Sequence, residues 1–239
     1  MIRLNIMDKI IILAPHSKCV DPNVRDCDTR AAQIAERLAS KVNAELFLSD
    51  ELREDFDLNR LESRDRPWRR TLENRILSYY RDPKIRHIWV LEMHSFPRCS
   101  WEVDKDEKMI VVSIPEFAPT GNALAHYLDI PIYQGTDKND IQHSYAPFRD
   151  KVTVLLIESC EDENHFSNDE LDAKLQKIID YLQTENNNNT GTPIWVLEST
   201  QYKFYIKLLI IIILVLIIYI VFFLTEHLPV LSDKHSLHI

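Results

Sequence analysis

Glycine is almost missing from this chain, with three residues in 239. A loop that cradles phosphate on backbone N–H groups needs several glycines at fixed spacing. Neither GxGxxG nor GxxxxGK occurs, so nucleotide binding by such a loop is excluded. Cysteine is scarce too: four residues and no CxxC pair argue against a structural zinc module or a disulfide scaffold, and fit a reducing compartment. Positive charge is in deficit, 28 Lys and Arg against 37 Asp and Glu for a net −9, so no electrostatic footprint points to nucleic acid. The basic cluster from Arg64 to Arg70 reads as a solvated helix end. The first seventeen residues lack the continuous apolar core of a signal peptide, because Asp8 and Lys9 interrupt it.

Long hydrophobic runs are not lacking. Leu208 to Leu224 is seventeen residues without a charge, and Tyr205 and Ile206 extend it across Lys207, whose ammonium can snorkel. A core helix of that length would carry a polar stripe, and this one has none, so 205–224 is expected to be a transmembrane helix with the lipid bilayer as its partner. Lys203 and Lys207 flank its upstream end, while Glu226 and then Lys234 lie beyond. With that charge bias and free cysteines, a single-pass, C-terminally anchored protein is expected, its N-terminal domain cytosolic and Asn188 of the Asn-x-Thr site unglycosylated. The expected organisation is an α/β domain over 1–184, an Asn-rich linker and juxtamembrane segment over 185–204, the span over 205–224 and a short tail over 225–239.

Within the domain, apolar runs alternate with segments of helical periodicity. Lys9 to Ala14, Ala44 to Leu48, Ile88 to Leu91, Met109 to Ile114 and Lys151 to Ile157 read as strands, the central ones buried on both faces. Helices are expected from Thr29, with Asp28 at its start, from Pro67, over Thr120 to Leu128, and from Asn168 as N-cap. This is an α/β pattern. Three of the strands end in chemistry: His16 after the first, Glu92 and His94 at the end of the run from Ile85, and Glu158 after Ile157. In open α/β sheets ligands gather outside the carboxyl ends of the strands. Two imidazoles and a carboxylate are a common ligand set for a catalytic zinc, a further Glu suits a general base, and the Asp57–Arg60 run DLNR offers an Arg and an Asn for a substrate carboxylate.

These pieces, APHS from Ala14, DTRAAQIAERLA from Asp28, REDFDLNR from Arg53, EMHSFP from Glu92 and VLLIES from Val154, stand in an order that resembles the N-formylglutamate amidohydrolase family. The resemblance covers roughly residues 10–160 in the sense of ordered motifs. It implies a zinc-peptidase-like fold, here a three-layer mixed sheet with helices on both faces, and hydrolysis of the formamide of a small N-acyl amino acid. By position it implies Zn2+ held by His16, Asp28 and His94, substrate carboxylate bound by Arg60 with Asn59 and Arg53, and Glu158 as the base that activates water. The chain departs from the family at Lys18, where a small residue is usual, and at Glu92, where Asp is usual.

Each assignment has an ordinary structural counterpart. Asp28 also suits a helix N-cap, Arg60 an ion pair with a nearby acid, and the histidines hydrogen bonding at strand ends. Cys19, Cys27, Cys99 and Cys160 each lie near a proposed site residue and fit small buried packing groups. Cys19, three residues after His16, is an alternative soft ligand in place of the carboxylate. Two functions follow: a membrane-anchored zinc amidohydrolase, or an inactive member of the fold serving as a tethered binding or scaffold protein.

Overall fold

The computed structural model describes residues 7–19, 28, 30–53, 55–96, 99, 106–136 and 138–188, the last three without side chains. Among these residues no helix is long and apolar enough to cross a membrane. The expected span 205–224 and the tail lie outside them, as does the linker beyond residue 188.

Six strands form one sheet in the order β2-β1-β3-β6-β4-β5. They are β1 (Met7–Ala14), β2 (Glu45–Leu48), β3 (Ile85–Phe96), β4 (Met109–Ser113), β5 (Ile132–Gln134) and β6 (Val152–Cys160). The pairs β1–β2, β1–β3, β3–β6 and β4–β5 are parallel, whereas β4 runs antiparallel to β6. The sheet is therefore mixed. Nearly every residue of β3, β4 and β6 is buried, as their unbroken apolar runs require.

Helices cover both faces. On one side α1 (Ala31–Val42), α3 (Ala118–Leu128) and α5 (Asn168–Asn188) bury Ile34, Leu38, Leu124, Leu171 and Ile178 in one apolar cluster. On the other, α2 (Pro67–Arg81) and α4 (Asp140–Tyr145) bury Trp68, Leu72, Ile76, Ile141 and Tyr145 in a second. Each such large side chain removed from water contributes about 1.5–3 kcal/mol. With glycine so rare, α1 and α3 end on left-handed Asn43 (φ 51°) and Asp129 (φ 54°), the residue types that tolerate that conformation after glycine. Gly121 serves close approach instead: a Cβ there would sit 2.9 Å from the Cβ of Ser113 on β4.

Three local expectations are corrected. The first helix is capped at Arg30, not entered at Asp28. At α5 the capping group is Ser167, whose hydroxyl accepts the Glu170 N–H while Glu170 Oε2 accepts the Ser167 N–H, a reciprocal capping box. That helix then continues to Asn188, past the expected boundary at Thr184 and into the Asn-rich stretch. The cysteines are the third. Cys99 and Cys160 form a disulfide and Cys19 is disulfide-bonded, so no described cysteine is free. The support that free thiols lent to a cytosolic domain falls away.

His87 gives the fold a measurable acid sensitivity. Its ring lies against Trp89, and its Nε2 is 3.0 Å from the Thr153 hydroxyl. Burial pushes its pKa down to about 4, with Asp8 opposing and Arg86 reinforcing the shift. The folded value lies below the unfolded one, so the unfolded chain binds the extra proton and stability falls as pH drops from about 6.5 towards 4. A shift of that size corresponds to about 3 kcal/mol. Urea unfolding of His87→Gln should therefore gain on the wild type by about that much between pH 7.5 and pH 4. An unchanged difference across that range would show that His87 is not buried in its neutral form.

Candidate metal centre

The parallel strands β1, β3 and β6 are neighbours, so their carboxyl ends open on one edge of the sheet. After β1 the chain turns through His16. Ser17 Oγ fixes that turn, donating to Ala14 O and accepting the Ser49 N–H, while Lys18 O accepts the Arg53 N–H. On β3 and β6, His94 and Glu158 stand side by side in the ladder. Asp28 reaches the same place from the segment before α1, whose first turn is tied by Ala31 N–H to Asp28 O. His16, Asp28, His94 and Glu158 are all buried.

Asp28 Oδ2 lies 2.7 Å from His94 Nδ1 and 3.2 Å from His16 Nδ1. The two imidazole rings meet edge to face with centroids 4.7 Å apart. Neither contact to Oδ2 has hydrogen-bond geometry, and this buried oxygen has no donor. An orphaned acceptor facing two ring nitrogens is costly unless something binds it. The three ligand atoms lie within 4.8 Å of one another, a cluster able to hold a metal ion.

The outward nitrogens are both engaged. His16 Nε2 is 2.6 Å from Asp57 Oδ1, and His94 Nε2 is 2.8 Å from Glu92 Oε1. An ionised carboxylate only accepts, so it holds the proton on Nε2 and turns Nδ1 towards Asp28. This carboxylate–imidazole arrangement, once for each histidine, is the outer support typical of metal-binding histidines. Two imidazoles and a carboxylate suit zinc and leave a position open.

Electrostatics agree. Burial pushes Asp28 up, but the facing His94 and His16 outweigh it and hold its carboxyl below the usual range. Burial pushes His94 down, but Asp28, Glu92 and Glu158 hold it well above its usual value. A pocket that so favours positive charge between these groups favours a cation as well as a proton. Glu158 is pushed up to about 8 by burial and by Asp28, Glu92 and Glu161, against the pull of His94. Among the described residues its carboxyl makes no hydrogen bond or ion pair, which leaves it available to a reactant.

Asp57 was not singled out by the sequence, although it opens the DLNR run. Its Oδ1 also accepts the Asn59 N–H at 2.9 Å, and its Oδ2 is 3.0 Å from an Arg53 Nη and 2.7 Å from Arg60 Nε. Burial pushes Asp57 up, but His16, Arg53 and Arg60 hold it well below the usual carboxylate range. Arg60 thus makes the ion pair that was its alternative role, and donates from Nη1 to Lys138 O. The Asn59 side chain is engaged at one end: its Oδ1 accepts the Ile141 N–H at the head of α4. Lys18 donates to Asp50 O at 2.7 Å. Cys19 is withdrawn as a ligand, because a bridged sulfur has no thiolate to give.

The Cα trace aligns with the N-formylglutamate amidohydrolase of Ralstonia eutropha at a TM-score of 0.52 and 12% identity, over 72% of this chain and 90% of that one. The fold is similar to that enzyme's. A gene product of Agrobacterium tumefaciens aligns at 0.48 and 16% identity, over 73% and 92% of the two chains. An N-acetylmuramoyl-L-alanine amidase of Nostoc punctiforme aligns at 0.41 and 12%, over 74% and 99%. No family model and no curated protein sequence matches the chain. The likeness is one of architecture, a mixed α/β sheet with helices on both faces, and the case for chemistry rests on the residues above.

Proposed function

We propose that the protein is a zinc-dependent amidohydrolase that removes a formyl or other small acyl group from an N-acyl amino acid such as N-formylglutamate. The observation that carries this reading is the orphaned Asp28 Oδ2 between two histidine Nδ1 atoms, each histidine braced from behind by its own carboxylate. His16, Asp28 and His94 would hold the ion, which when bound supplies Lewis acidity towards the amide carbonyl and water.

The rest is done by the chain's own side chains. Asp57 and Glu92 fix the two rings and their tautomers. Glu158, beside His94, takes a proton from water and passes it to the departing amine nitrogen, serving first as general base and then as general acid. Arg60, about a third exposed and with donors left beyond Asp57 and Lys138 O, is the more accessible group for the substrate's carboxylate, with Arg53 more deeply buried beside it. Anchoring through 205–224 belongs to the same proposal and rests on hydropathy alone.

The test is hydrolysis of a panel of N-formyl amino acids by the full chain, with chelator and then with zinc restored. Formate release that favours acidic substrates, stops with chelator and returns with zinc is the expected result. Turnover indifferent to chelator, or none on any substrate by zinc-loaded protein, would remove the enzyme reading and leave a binding role for the fold.

A further inference from the structure

Arg30 is a charged residue buried as deeply as the proposed ligands, with 4% of its surface exposed. Among the described residues its guanidinium does not meet a close carboxylate: the nearest ion-pair partner, Glu163 Oε1, is 4.0 Å away on a side chain that is about half exposed. Instead it donates from Nη1 to Cys160 O at 3.0 Å and Phe166 O at 2.9 Å, and from Nη2 to Asn168 Oδ1 at 3.1 Å. Among the described residues its Nε has no hydrogen-bond partner. Its backbone N–H donates to Ser95 Oγ at 3.3 Å, and Ser95 Oγ donates in turn to Glu161 Oε1. A buried cation held mainly by neutral acceptors is an expensive arrangement, several kcal/mol even after relaxation, and is weak evidence for stability as its purpose.

Its partners suggest another purpose. Asp28 lies two residues before Arg30, Cys160 two residues after Glu158, and Ser95 next to His94. The residue therefore touches the ends of all three segments that carry Asp28, His94 and Glu158. We propose that Arg30 is a positioning residue for the metal centre, locking the Asp28 segment to the ends of β3 and β6 so that Asp28 Oδ2 meets the two histidines and Glu158 stands at a fixed distance from them. The planar guanidinium bonds two carbonyls and an amide oxygen at once, which the single ammonium of lysine does not reproduce. The Cys99–Cys160 disulfide ties down the same strand end.

This rests on the metal-centre reading, and zinc affinity separates the two without recourse to activity. Zinc dissociation constants would be measured by competition with a chromophoric chelator on detergent-solubilised full-length wild type, Arg30→Lys and Asn168→Ala, alongside thermal unfolding of the same samples. Loss of an outer support costs on the order of 10–100-fold in metal affinity. Arg30→Lys should show a loss of that order while its far-UV spectrum stays folded. Asn168→Ala removes one acceptor at the far end of the guanidinium, so it should weaken zinc in the same direction by less, and it carries the test if Arg30→Lys does not fold. Wild-type zinc affinity in folded Arg30→Lys, or in Asn168→Ala where that variant carries the test, would overturn the positioning role alone, whatever the change in melting temperature. Absence of zinc binding in wild type and variants alike would overturn the metal centre and this proposal with it.

Discussion

Glu158→Gln is expected to lower kcat by about 10²–10⁴-fold, the usual loss when a general base is removed, while zinc content and thermal stability stay close to wild type. Glutamine keeps the shape of the side chain but cannot take a proton from water. It should also be well tolerated, because Glu158 makes no ion pair among the described residues and three other carboxylates, Asp28, Glu92 and Glu161, make its charged form unfavourable. A purely structural carboxylate would behave in the opposite way, with stability falling and turnover surviving in the folded fraction. Steady-state kinetics and a melting curve on one preparation decide between them, and wild-type kcat in the variant would remove Glu158 from the chemistry.

Asp57→Asn is expected to damage both metal binding and stability. The carboxylate holds His16 Nε2 at 2.6 Å and neutralises two arginines at 3.0 and 2.7 Å. Asparagine of the same size loses that charge and turns an N–H₂ group towards one set of donors. The His16 ring then loses its fixed tautomer, for a fall in zinc affinity on the order of 10–100-fold. Breaking a buried charge pair costs roughly 3–5 kcal/mol, and the partial exposure of Arg60 places this case near about 3 kcal/mol. Chelator competition and urea unfolding read the two effects separately. Unchanged zinc affinity would mean that Asp57 serves only to pair Arg53 and Arg60.

What the sequence made legible was whatever is encoded over a few neighbouring residues. The apolar runs of β1, β3 and β6 announce strands buried on both faces, and a histidine or glutamate directly after such a run is carried to the edge where ligands bind. That put His16, His94 and Glu158 within reach of one another before any coordinates, and the fold does bring them together with Asp28. What was not legible depends on partners far apart in the chain. Asp57 acquires its role from His16, 41 positions away, and Arg30 from acceptors 130 to 138 positions away. The Cys99–Cys160 bridge spans 61 residues and leaves no spacing signature. Asn59 looked like a substrate ligand beside Arg60, and nothing in the sequence signals that its Oδ1 also accepts the Ile141 N–H of α4, a segment too short to show periodicity. Strand β5, three residues long, was missed for the same reason.

The central claim is that His16, Asp28 and His94 form one metal centre. Its most direct test is the zinc content of purified full-length protein after equilibration with zinc and removal of the excess, compared with the His16→Ala/His94→Ala double variant. The account predicts about one tightly bound zinc per chain in the wild type, in the three-ligand set of a catalytic site, and none in a folded double variant. One zinc per chain in both would place the ion elsewhere and contradict it.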